Sequence, residues 1–162
     1  MQRKTIRKIA TNLVKEFQTN DPIELCECLG IPVHYNDLGK NVMGYRTNLF
    51  GVSSIVLNSR LSSTEAKYTC GHELGHDRCG HEDNADYLRK SSLYSRILYG
   101  TEYEANCFMV ELMLAENSLD DYVDTKEGVL QSISIPMWAA PYVDWTYVKK
   151  ELLTNQMAGS NI

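Results

Sequence analysis

The stretch SSTEAKYTCGHELGHDR, residues 62–78, constrains this chain more than any other. Ser62 with Glu65 is a capping box, in which the two side chains satisfy each other's free backbone N–H groups. It predicts a helix that runs to about Arg78. On that helix His72 and His76 are four residues apart, so they stand one above the other on a single face. Both imidazoles can then hold the same ion. Glu73 flanks that face and can reach a water on the ion without taking a ligand position. The HExxH spacing therefore points to hydrolysis. Zinc lowers the pKa of a bound water from about 15.7 toward roughly 7. Glu73 can take the proton as that water attacks a peptide carbonyl and pass it to the leaving amine. Two other readings compete. One is an exposed helix with two surface histidines. The other is a structural metal knot built from Cys79 and His81, although no paired CxxC accompanies them.

A catalytic zinc needs a third protein ligand and an open fourth position. His81 is the nearest supplier, but the elongated motif HExxHxxGxxH is not met: it puts Gly at position 79 and His at 82, where this chain has Cys79 and Glu82. A second predicted helix, TEYEANCFMVELMLAEN from Thr101 to about Asn117, offers two carboxylates. Glu102 and Glu104 are two residues apart and point about 200° apart on a helix. Glu102 shares its face with Ala105, Asn106, Met109, Leu112 and Met113, which must face the core. Glu104 shares its face with Phe108, Glu111 and Ala115, and Glu111 marks that side as wetter. The facing argument favours Glu102 as the third ligand, with Glu104 as the alternative. Asn106, one turn on, could hydrogen-bond a ligand imidazole and fix its tautomer. The expected site is one Zn2+ per chain on His72, His76 and Glu102, with Glu73 as the catalytic base.

The rest of the chain reads as a scaffold. Apolar residues at helical spacing predict a helix over residues 4–18. Asp21-Pro22-Ile23-Glu24 starts a second helix that stops at Gly30. Residues 31–35, 42–47 and 52–57 read as strands, the last two joined by Asn48-Leu49-Phe50-Gly51. The strand 52–57 is expected at an edge, free to pair with an extended substrate. Residues 80–100 are polar and irregular with one short helix, and two or three short helices follow around Pro136 and Pro141. The expected fold class is α+β: a small, twisted, three-stranded and mostly antiparallel sheet packed on the HExxH helix and the glutamate helix, with flanking N- and C-terminal helices. No linker composition divides the chain. The expectation is a single metallopeptidase-like domain over 1–162, with a zinc-site core over 5–117 and a helical C-terminal extension over 118–162.

Composition excludes little but points one way. The net charge is −5, which argues against direct nucleic-acid binding. Arg3, Lys4, Arg7 and Lys8 form a basic cluster on the first helix and read as a solvated face. No apolar run approaches the roughly 20 residues of a membrane span, and there is no signal-peptide pattern. A cytoplasmic protein with reduced cysteines is expected. Cys70 and Cys107 read as small core residues, Cys26 and Cys28 as unbridged, and His34 as an ordinary strand residue. Tyr45, Tyr68, Tyr99 and Tyr103 could each stabilise an oxyanion, although packing explains each of them as well.

HELGH at 72–76 with EYEANCF at 102–108 and LML at 112–114 resembles the ImmA/IrrE zinc metallopeptidases. Asn58 at a strand end, leading into the Leu61-Ser62 cap, is similar too, as is the order helix, helix, small sheet. The resemblance covers roughly residues 5–117. It implies zinc ligands at His72, His76 and the glutamate of the second helix, with Glu73 as base. A ligand Glu followed four residues later by Asp or Asn fits Glu102 and Asn106. It also implies a partner: a helix-turn-helix repressor, often encoded nearby, whose cleavage such proteins carry out or control. The chain departs from the family in Met109, where Ala is common, and in Ala115-Glu116, where a Pro is common. A bulky Met109 is expected to narrow the site. The function expected is a zinc endopeptidase of narrow specificity. The alternative is a non-catalytic, zinc-stabilised module that binds and displaces a repressor.

Overall fold

The computed structural model describes residues 1–82, 87–93, 98–115 and 125–151. Helix α1 (Arg3–Phe17) buries Ile6, Ala10, Leu13 and Val14, one stripe at helical spacing, and ends in a left-handed Gln18. Helix α2 (Pro22–Cys28) starts where Asp21 accepts from the N–H groups of Ile23 and Glu24. Three strands follow: β1 (Val33–Asn36), β2 (Val42–Leu49) and β3 (Val52–Asn58). Helix α3 (Ser63–Arg78) begins with the full reciprocal capping box of Ser62 and Glu65. A two-residue strand β4 (Leu88–Arg89), a single turn α4 (Lys90–Leu93), helix α5 (Gly100–Leu114), helix α6 (Lys126–Ser132) and a 3-10 turn (Met137–Tyr142) complete the described elements; 145–151 is again helical. Part of the expected helix end near Asn117 lies outside the described residues. No described helix is long and apolar enough to cross a membrane.

The class is α+β, but the sheet differs from the three-stranded expectation. It has four strands in the order β1-β3-β2-β4 and is mixed. β2 and β3 form the antiparallel hairpin, β4 adds antiparallel to β2, and β1 lies parallel to β3. The buried Asn58 explains part of this. Its amide donates to the carbonyls of Gly39 and Val42 and accepts from Leu38 and Arg60, so the end of β3 holds the β1–β2 connection. β1 therefore lies beside β3 instead of forming a hairpin with β2. The expectation of β3 as an edge is overturned by the same order, because β3 has a strand on each side.

Helix α3 lies at the centre, against β2 and β3 on one side and α5 on the other, and every residue from Tyr68 to His76 is buried. Gly75 permits this. A Cβ there would sit 2.9 Å from the Ala105 carbonyl oxygen and 3.2 Å from Phe108 Cβ. The two helices that carry the HELGH and glutamate motifs thus meet backbone to backbone. Gly71 does the same for a side chain. Met109, expected to narrow the site, lies against Gly71, where an added Cβ would be 3.2 Å from Met109 Cγ.

Candidate metal centre

The geometry of α3 brings His72 Nε2 and His76 Nε2 to 3.1 Å of each other. From the first turn of α5, Glu102 reaches across. One carboxylate oxygen lies 3.3 Å from His72 Nε2 and the other 3.2 Å from His76 Nε2. Two ligand atoms on a tetrahedral zinc, each about 2.0–2.1 Å from it, lie roughly 3.3 Å apart, so the spacing fits that ion. Among the described residues, these three side chains are the one group of three or more potential ligands whose ligand atoms converge. The imidazoles are almost fully buried, whereas the Glu102 side chain is 34% exposed, which leaves the site an open side.

The electrostatics follow from burial and mutual contact. Burial alone would raise the Glu102 carboxyl, but hydrogen bonds and charge from His72 and His76 outweigh it and hold Glu102 far below the usual carboxylate range. Burial lowers His76. For His72 burial also pulls down, but contacts with Glu102, Glu73 and Asn106 raise it overall. Asn106 Oδ1 lies 2.9 Å from His72 Nδ1. That amide oxygen can only accept, so Nδ1 carries the proton and Nε2 keeps its lone pair for the centre.

Glu73 is fully buried, and its carboxylate has no well-formed hydrogen bond beyond a contact with the main chain of Arg46. Desolvation pushes its pKa up to about 7, against the lowering pull of His72 and Arg46. A carboxylate at that value can take and give back a proton near neutrality. Arg46 is a participant that the sequence reading missed. It comes from β2, is 1% exposed, and donates from Nη2 to the His81 carbonyl at 2.6 Å. Its nearness to Glu73 is set by strand packing against α3, for which the local sequence carries no signal.

The other candidates are placed elsewhere. Glu104 does not join the three candidate ligands; its carboxylate lies 2.9 Å from His81 Nε2 and also meets the Met1 amino group. The facing argument reached Glu102 for a wrong reason. Glu111 does not mark a wet side, because it is 4% exposed and paired with Arg3 and Arg7. Cys79 is the buried C-cap of α3, outside the ligand group. His34 is exposed on β1. Cys26 and Cys70 are buried core thiols, their sulfurs 3.7 Å apart. Tyr45, Tyr68 and Tyr103 pack edge-on or tilted against Tyr87, Trp138 and Tyr142, and Tyr99 is exposed.

The model of a peptidase family described as the IrrE N-terminal-like domain matches residues 26–133, which span α3, α5 and the sheet. The chain is also 32% identical over 130 residues, 80% of each chain, to the uncharacterized immunity region protein 2 of Bacillus phage phi105.

Proposed function

Because the chain belongs to the ImmA/IrrE peptidase family and is of the phage type, we propose that it is a zinc-dependent endopeptidase of narrow specificity, directed at a helix-turn-helix repressor encoded nearby. The observation that carries this reading is the pairing of two features. Three potential ligand atoms converge from His72, His76 and Glu102, and beside them stands a fully buried glutamate with no side-chain hydrogen-bond partner. A structural zinc is closed by a fourth protein ligand. Among the described residues no fourth His, Cys, Asp or Glu joins the group. This favours catalysis over the non-catalytic module.

In this reading His72, His76 and Glu102 would hold zinc, which when bound would supply Lewis-acid activation of water. Glu73 takes the proton of the attacking water and delivers it to the leaving amine. Arg46, held in the protein interior, keeps the local charge balanced while Glu73 is ionised. Asn106 orients His72. The whole of 1–162 acts as one metallopeptidase-like domain, with its zinc core over 5–117 and a C-terminal extension over 118–162. It works in the cytoplasm and has no nucleic-acid contact of its own, consistent with the net charge of −5. The immunity-region name of the phage relative supports a partner connected with repression.

The test is co-expression with the neighbouring helix-turn-helix protein, following that protein by intact mass. Wild type should make one discrete cut, and Glu73→Gln should make none. A partner left whole but stripped from its operator by both versions would replace the protease with the displacing module.

A further inference from the structure

His81 was one of two possible ligands near the HELGH motif, and Glu104 was the rival of Glu102. The structure gives them a joint position beside the site. His81 Nδ1 lies 2.9 Å from His76 Nδ1, and His81 Nε2 lies 2.9 Å from Glu104 Oε2. The His76 and His81 rings meet edge to face, with centroids 5.0 Å apart. The side chains of His76 and His81 are 3% and 6% exposed, so little water competes for these contacts.

With both imidazoles neutral, the donor and acceptor inventory allows one arrangement along this row. Ionised Glu104 can only accept. His81 must therefore carry its proton on Nε2 and present a bare Nδ1. Facing that bare nitrogen, His76 must carry its proton on Nδ1. His76 Nε2 is then left with its lone pair, aimed at His72 Nε2 and Glu102. Asn106 does the same for His72 through a single bond. The two ligand imidazoles are thus oriented by different devices, one by an amide and one by an imidazole–carboxylate pair.

We infer that His81 and Glu104 are positioning residues for the metal centre: they lock the tautomer and ring orientation of His76 so that its Nε2 is ready for the ion. This rests on the reading of His72, His76 and Glu102 as zinc ligands. Such outer partners raise ligand basicity and hold the ring in place, and their loss costs roughly 10- to 100-fold in metal affinity.

The test uses the full chain and zinc alone, with affinity measured by competition against a chelator. Wild type should bind one zinc. His81→Phe keeps a ring of similar size but removes the acceptor, and should bind roughly 10- to 100-fold more weakly. Glu104→Ala should lose affinity, and Glu104→Gln, whose carbonyl still accepts from His81, should recover most of that loss. This pair carries the test if His81→Phe fails to fold. Nitrogen-15 NMR of the zinc-loaded wild type should place the proton of His81 on Nε2 and that of His76 on Nδ1. Zinc binding at wild-type strength by both His81→Phe and Glu104→Ala, or a proton on His81 Nδ1, overturns the relay alone. A wild type that binds no zinc overturns the metallopeptidase reading and the relay with it.

Discussion

At the scale of single residues, Glu73 has the clearest energetic signature. Its ordinary value is 4.5, and burial raises it to about 7 in the fold. Between those values the folded chain holds a proton that the unfolded chain has released. The contribution of Glu73 to the stability of the metal-free protein is therefore complete below about 4.5 and is lost as pH rises to about 7. Glu73→Gln removes the charge that must be buried. The metal-free variant should melt above metal-free wild type at pH 8, by up to roughly 3 kcal/mol, and the difference should vanish near pH 4. Thermal melts of both chains across that range check it. An unchanged gap at pH 4 would mean that the substitution acts by packing and not by charge. The placement of His72, Glu73 and His76 was legible because their spacing along one helix sets their geometry. Arg46 was not legible, since only the packing of β2 on α3 brings it to Glu73.

Among the elements, α3 was the most readable and the sheet the least. The Ser62–Glu65 cap is local chemistry, and the structure reproduces it in full. Ser62→Ala should cost about 1 kcal/mol of stability, read by urea unfolding. Gly75→Ala should cost more, about 3 kcal/mol, because the added Cβ meets the main chain of Ala105, which cannot turn aside. It should also weaken zinc binding, whereas Ser62→Ala should leave that unchanged. Equal zinc affinity in the two variants would separate the helix contact from the site. The parallel placement of β1 was hidden because it depends on Asn58 bonding to a connection 16 to 20 residues earlier. Helix α5 hid the setting of Glu111 for another reason. It is buried on all sides from Ala105 to Met113, so its sequence has no apolar face against which to judge a wet one.

For the whole molecule, the same glutamate ties distant parts together. Arg7 of α1 bonds Glu111 of α5 at 2.8 Å and Asp144 at 2.7 Å, and its guanidinium lies 3.6 Å from the centre of the Tyr147 ring. The basic cluster on α1 is thus divided. Lys4 and Lys8 face solvent, while Arg3 and Arg7 turn inward to Glu111. Glu111→Ala would leave two arginines without their shared acceptor. It should destabilise the chain by about 2–3 kcal/mol, seen as a lower urea midpoint, with the zinc affinity retained if the effect stays at that junction. The close crossing at Gly75 has a further consequence. Two candidate ligands stand on α3 and the third on α5, so main chains in contact fix the base of the aperture between them and the Glu102 side chain closes it. A larger cation would have to push Glu102 back from the pair of imidazoles, so this frame selects by ionic radius: cobalt should replace zinc with little loss, and cadmium should bind more weakly, both read by competition against a chelator.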